Sequence, residues 1–157
     1  MTMIRIRTAT INDIDKLYEF EQGIIDAERP YDETIAPGRV HYYDLEEFIF
    51  APHIEIVVAE SDGEVIGCGY VRIEKSKSWF RHQRHGYMGF MFVVPEYRGQ
   101  GVNKMIMDAL SGWAKSQGVR ELRLQVYHDN TSAIQAYEKI GFKRNMIEMR
   151  LSAEPKA

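Results

Sequence analysis

The chain has 157 residues, 45% of them hydrophobic and 27% charged, with a formal net charge of −3; this is enough for one domain with a proper core, and too apolar for a disordered chain. The negative balance gives no global positive field for a nucleic-acid backbone, and the single Cys68 excludes an internal disulfide framework or a Cys-rich metal site. No apolar run approaches the ~20 residues needed to cross a bilayer, and Met1 to Asp15 mixes charges in a pattern unlike a signal peptide, so the expected location is cytoplasmic, without a membrane partner.

In chain order, Met3 to Thr8 alternates Ile4 and Ile6 with Arg5 and Arg7, which predicts a half-buried strand. Asn12 or Asp13 then caps a helix carrying Ile14, Leu17, Tyr18 and Ile24 or Ile25, which breaks at Arg29-Pro30. Residues 30–39 read as a loop, Leu45 to Phe50 as a short helix ending before Pro52, and Ile54 to Glu60 as a strand. Ser61-Asp62-Gly63 is a hairpin signal, with Glu64 to Glu74 as the partner strand. A basic loop, Lys75 to His85, leads to an almost continuously apolar strand at Gly86 to Val94, expected to be buried on both faces. A helix then runs from near Gly101 to Gly118, Leu122 to Tyr127 is a strand, and Asp129, Asn130 or Thr131 caps a helix ended by Gly141. Phe142 to Leu151 is expected to close the sheet. The reading is one mixed α/β domain over 1–151, with a flexible tail at 152–157.

The richest stretch is Phe92-Val93-Val94-Pro95-Glu96-Tyr97-Arg98-Gly99-Gln100-Gly101-Val102-Asn103. Val102, Met105, Ile106, Ala109, Leu110 and Trp113 recur at helical spacing, so the first amides of a helix of about four turns lie just beyond two glycines. Glycine lets the backbone turn tightly there, and unpaired N–H groups together with the helix dipole favour an anion such as a phosphate or pyrophosphate. A Gly-x-Gly turn opening a helix is also a common tight connection, so the signal needs support from elsewhere.

That support lies downstream. The fragment resembles the acyl-CoA-binding motif of the GNAT superfamily of N-acetyltransferases, matched by Arg98, Gly99, Gln100, Gly101 and Val102; Asn103 departs from the usual Gly or Ala. The segment Asn130-Thr131-Ser132-Ala133-Ile134-Gln135-Ala136-Tyr137-Glu138-Lys139-Ile140-Gly141-Phe142 is similar to a second segment of that family, in the right order and spacing. The resemblance implies a GNAT-like mixed, mostly antiparallel sheet flanked by helices, and acetyl transfer from acetyl-CoA to a primary amine by direct attack in a ternary complex. It also implies that amides from Gly99 to Lys104 hold the CoA pyrophosphate, that main-chain groups near Met91 and Val93 pair with the pantetheine arm, and that Asn130 contacts CoA or the backbone. Tyr137 is implied as the acid that protonates the departing thiolate. The acceptor is a small-molecule or protein amine, and a homodimer joined by the final strand is compatible with the family. No metal is expected.

The proton acceptor does not follow from the pattern. No carboxylate lies in Gly86 to Val94, and Gln125 occupies a position where some relatives carry a glutamate. Water, an already neutral amine, or a base from Glu28, Asp32, Glu33, His128, His82 or His85 all remain open. The missing glutamates motivate an alternative in another class, a CoA-binding regulatory module without strong catalysis. The acidic and aromatic stretch Asp26 to Tyr43 falls where an acceptor site is expected and favours a cationic amine. In the basic loop, Trp79 and Phe80 are expected to pin the chain to the body, and Gly67-Cys68-Gly69 marks a bulge or a close neighbour.

Overall fold

The computed structural model describes residues 3–154; positions 155–157 of the expected tail lie outside the described residues. Five strands form one sheet in sequence order: β1 (Ile4–Thr8), β2 (Ile54–Ser61), β3 (Glu64–Lys75), β4 (Arg84–Val93) and β5 (Leu122–Arg123). The first four pair antiparallel and β5 joins β4 in parallel, as its helical crossover requires. Helices α1 (Ile14–Glu28) and α2 (Leu45–Phe50) cover one face of the sheet, and α3 (Val102–Ser116) covers the other; α4 (Thr131–Ile140) follows β5.

Strand alternation sorts side chains between two cores. Ile54, Ile56 and Val58 of β2 pack towards α1, whereas Val57 and Ala59 pack against Val102, Ile106, Met107, Leu110 and Ala114 of α3. The small residues expected to admit a close neighbour do so: an added Cβ at Gly69 would lie 2.6 Å from Met91 Sδ and 2.8 Å from Ile106 Cγ2, and at Gly67 2.9 Å from the Phe92 carbonyl. Cys68 between them is fully buried, and burial pushes its thiol up, which removes it as a nucleophile.

Two irregularities shape β4. Opposite β3, Cys68 pairs with Phe92 and Tyr70 with Gly89, so Phe90 and Met91 stand against the single Gly69 as a bulge, with Phe90 at φ 59°. On its other side β4 holds β5 through only Gly86–Leu122 and Tyr87–Arg123. Beyond that point the two segments part and open a groove. This is why β4, expected to be buried on both faces, is only half-buried along much of its length, and why the strand expected over Leu122 to Tyr127 is hydrogen-bonded only at Leu122–Arg123.

Other boundaries also differ from expectation. Asp13 stands at the cap position of α1, as expected, but makes no side-chain bond into it; the capping bonds lie one turn earlier, where Thr10 caps the 3-10 turn Ile11–Asp13 and exchanges capping-box bonds with Asp13. Asp13 is instead clamped by Arg7, which donates to both carboxylate oxygens at 2.8 Å. Trp79 is 75% exposed and pins nothing; Phe80 alone packs, against the Arg123 guanidinium at 4.7 Å. Residues 142–151 do not close the sheet. They carry no strand pairing, and Met146, Ile147, Met149 and Leu151 stand out in solvent. Alternation made the segment a strand candidate, but a strand needs a neighbouring edge to bond to, and this one has none within the chain.

Candidate active site

The groove ends at the glycine turn. After β4, a turn of 3-10 helix at Pro95–Tyr97 lowers the chain to Arg98, whose Nε donates to the Val93 carbonyl at 2.8 Å and ties the turn to the strand end. Gly99 and Gly101 adopt φ of 76° and 81°, values costly for residues with a Cβ. Neither has a neighbour within 4 Å of a built Cβ, so backbone conformation rather than space calls for glycine. Gly101 caps α3 without a side-chain bond, and the amides of residues 99–104 donate to no atom among the described residues. Six adjacent donors at the positive end of a 15-residue helix form an anion site.

Asn103 fits this arrangement. It sits in the first helical turn, half-buried, with its Nδ2 4.0 Å from Met107 Sδ, so its side chain runs along the helix. The Lys104 ammonium pairs with Asp108 at 2.7 Å on the exposed surface, and its contribution to the turn is therefore its amide. Val102 is buried beneath the turn, and Gln100 Nε2 braces it by donating to the Glu96 carbonyl at 3.1 Å.

Along the groove, the bulge releases Phe90 and Met91 from β3 pairing, while the parting of β5 leaves the outer edge of residues 88–93 without a strand partner. Met91 and Val93 thus line an open edge of extended backbone. Among the described residues, one side-chain bond crosses the divergence, from the Tyr87 hydroxyl to Gln125 Oε1 at 3.2 Å.

Tyr137 lies on α4 and packs at the edge of the core that includes Met91 and Val93; the start of α4 is fixed by Asn130, whose Oδ1 accepts from the Ala133 amide at 3.3 Å. Asn130 therefore performs the capping job. The half-buried Tyr137 ring packs edge-on against Phe142, and its hydroxyl has no protein partner among the described residues. Burial raises its phenol above the ordinary value and the charge of Glu28 adds to this, so it is protonated at neutral pH.

The candidate bases separate by position. His82 and His85 lie where β3 ends and β4 begins, with nearly the whole of β4 between them and the glycine turn. His128 is 81% exposed beside Asp129, and Glu33 is exposed. Asp32 is engaged by Arg150 at 3.0 Å, Thr34 at 2.6 Å and the Tyr127 hydroxyl at 3.0 Å, which together hold its carboxyl far below the usual range and make it a poor base. Glu28, the last residue of α1, is different. Burial raises its carboxyl, with opposition from a Tyr42 hydrogen bond and a further upward push from Asp32. Its charge also raises the phenols of Tyr43, Tyr87, Tyr127 and Tyr137, so one carboxylate stands within electrostatic reach of tyrosines from four separate stretches of chain.

A residue that the sequence reading passed over organises this end. Glu21 is fully buried on the apolar face of α1 and accepts from the Tyr42 and Tyr43 amides, each at 2.9 Å, with His41 Nδ1 at 2.7 Å. It fastens the loop that carries Tyr42 beside Glu28. Its signal was a carboxylate one turn beyond Leu17 on the helix face that also carries Ile25. A cleft of about 1210 Å³ is lined by Asp15, Tyr18, Gln22, Arg39, Tyr42 and Tyr43 among others, and its lining includes neither the glycine turn nor Tyr137. Among the described residues no group of three His, Cys, Asp or Glu side chains is arranged to hold a metal, and no helix is long and apolar enough to cross a membrane.

A mixed sheet that splits beside a bulged strand, with an amide-lined turn at the end of the split, forms a groove with an anion site at one end. The family model for the acetyltransferase (GNAT) family matches residues 15–142. The chain belongs to that family and is an acetyl-CoA-dependent N-acetyltransferase. It is 27% identical over 118 residues to an aminoglycoside N(6')-acetyltransferase type 1 of Salmonella typhimurium, covering 68% of this chain and 74% of the relative. It is 27% identical over 144 residues to an N-alpha-acetyltransferase of Sulfurisphaera tokodaii, covering 88% and 80%. Among solved structures, a predicted acetyltransferase of Clostridium acetobutylicum with acetyl-CoA superposes with a TM-score of 0.76 at 19% identity, over 96% of both chains.

Proposed function

We propose that the protein acetylates a primary amine of a small cationic molecule, by direct attack of the amine on the thioester in a ternary complex. The observation that carries this reading is a carboxylate raised by burial, Glu28, within electrostatic reach of a phenol, Tyr137, whose hydroxyl has no protein partner among the described residues. They are a base and an acid of the kind acyl transfer to an amine needs.

The steps assigned to the chain are few. Amides of Gly99 to Lys104 bind the pyrophosphate of the donor, and main-chain groups at Met91 and Val93 hold its arm as a strand would. Arg98, Gln100 and Val102 support the turn, while Asn130 sets the start of α4 and with it Tyr137. Glu28, directly or through a water, takes a proton from the incoming ammonium. The neutral nitrogen attacks the carbonyl carbon to give a tetrahedral adduct; as that adduct collapses the C–S bond breaks and Tyr137 gives its proton to the sulfur, the second proton of the attacking nitrogen passes to the Tyr137 oxygen, and Glu28 releases its proton to solvent.

The acceptor end favours a cation. Glu28 supplies negative charge that no ion pair among the described residues offsets, whereas Asp32 is matched by Arg150, and Tyr42 and Tyr127 supply aromatic rings beside it. Among the relatives, one acts on aminoglycosides and another on N-alpha amines; the negative charge of Glu28 favours a cationic small molecule.

The test is thiol release from acetyl-CoA with aminoglycosides, polyamines and peptides offered as acceptors. Saturable turnover with a polyamine or aminoglycoside, faster than with any peptide, is the expected result. Tight CoA binding with no transfer to any amine would replace this reading with that of a binding module.

A further inference from the structure

We propose that the turn joining β3 to β4 is a second anion site, one that takes the phosphate group of a small phosphorylated molecule. It lies apart from the groove, with nearly the whole of β4 between it and the glycine turn, and it is independent of the acceptor assignment.

Residues 75–85 carry Lys75, Lys77, Arg81 and Arg84 with His82 and His85, and no acid, in a chain whose net charge is −3. They surround a cavity of about 410 Å³ lined by Lys75, Ser76, Lys77, Ser78, His82 and Arg84 among others, a volume within the range of small-molecule sites. Among the described residues Lys75, Lys77 and Arg81 make no ion pair. Arg84 reaches a carbonyl rather than a carboxylate: its Nη2 donates to the Gln117 oxygen at 2.8 Å. Cations held around one cavity repel one another, and that repulsion turns to attraction when an anion enters between them.

Two further kinds of donor belong to the same turn. The consecutive amides of Lys77, Ser78 and Trp79 donate to no atom among the described residues, and a run of free N–H groups in a turn is the main-chain form of an anion site. Ser76 lines the cavity although it is only 7% exposed, and its Oγ is fixed 2.8 Å from His85 Nδ1, whose Nε2 stands 3.3 Å from a Glu74 oxygen. Glu74 itself, the acid at the end of β3, is engaged by Arg72 at 2.6 Å. Full positive charges, free amides and a hydroxyl in one wall suit a phosphate, which brings nearly two negative charges and three strong acceptor oxygens. Phe80 in the lining is taken up by Arg123 at 4.7 Å and by His82 stacked at 5.3 Å, whereas the neighbouring Trp79 is 75% exposed and leaves its ring for the organic part of the ligand. A nucleotide, with a base to stack there, and a sugar-type phosphate, without one, share the phosphate chemistry.

Amide and indole proton shifts of the full chain, saturated with CoA and held at constant ionic strength, test this in titrations with inorganic phosphate, glycerol phosphate and AMP. The expected result is saturable movement of the Lys77, Ser78 and Trp79 amides with all three. Movement of the Trp79 indole and tighter binding with AMP alone would identify a nucleotide as the source of the phosphate; equal binding of AMP and glycerol phosphate would mean that the phosphate alone is recognised, and either result supports the site. The double substitution K75Q/K77Q, confined to exposed side chains, is expected to weaken binding about 10- to 100-fold and to leave turnover of acetyl-CoA unchanged. Shifts confined to residues 99–104 overturn the proposal, as do shifts that grow without saturation at every exposed lysine and arginine, or a double variant that binds as tightly as the wild type. Should the double variant fail to fold, the wild-type shifts decide: saturation at residues 77–79 supports the site, and unmoved amides there contradict it.

Discussion

At the glycine turn, six consecutive amides from one stretch of chain make the proposed donor site, whereas the proposed acceptor end draws Glu28, Asp32, Tyr42, Tyr87, Tyr127 and Tyr137 from separated stretches. The first end works through main-chain groups that every residue type carries, so it tolerates side-chain change wherever the backbone path survives. The second works through side chains whose positions depend on tethers such as Glu21. Substitution should therefore act differently at the two ends: through backbone conformation at one, through the removed functional group at the other.

The sharpest break is expected at Tyr137. Tyr137→Phe removes the hydroxyl and keeps the ring, so turnover should fall about 10²–10⁴-fold while the CoA dissociation constant stays within about twofold, as checked by steady-state kinetics alongside calorimetry. Next is Glu28→Gln, expected to lower kcat/KM for the amine about 100-fold at neutral pH. Its pH dependence carries a sign. The base must be ionised, and burial raises this carboxyl above the ordinary 4.5, so kcat/KM rises with pH through a midpoint above 4.5 in the wild type. That limb should vanish in the variant; a limb that survives unchanged belongs to another group.

At the donor end, Gly101→Val forces a β-branched residue into φ 81°, at a cost of about 1–3 kcal/mol, and should weaken CoA binding about 10- to 100-fold in a titration. Binding as tight as that of the wild type would mean that this turn is not the cradle. The smallest effect is expected from Lys104→Ala, which removes only an exposed pair with Asp108 and leaves the amide in place. CoA affinity should change less than about threefold; a larger loss would show that side-chain charge, not the main chain, does the binding.

The same contrast explains what could be read from the residues alone. The order of strands and helices, the groove-side turn and the starts of α3 and α4 were legible because each depends on neighbours in sequence: Gly99 and Gly101 before an apolar helical repeat, Asn130 before Thr131 to Ile140. The proposed base was not legible, because Glu28 differs from Asp32 and Glu33 only in what the fold sets around it. Arg150, more than a hundred residues away, engages Asp32 and leaves Glu28 the carboxylate raised by burial. Residues 142–151 were legible as an extended segment but not as an unpaired one, since alternation reports a strand's faces and says nothing of its edges. Likewise Asp13 stands at the cap position of α1 without a side-chain bond into it because Arg7, on the preceding strand, clamps the Asp13 carboxylate.

The central claim is that the amides from Gly99 to Lys104 receive the pyrophosphate of the donor. A titration of the isotopically labelled protein with CoA, followed through amide proton shifts, tests it most directly. The account predicts that the shifts of residues 99–104 are the largest in the chain and move downfield on binding, with smaller changes at Met91 and Val93; saturation of CoA binding with those six amides unmoved would contradict it.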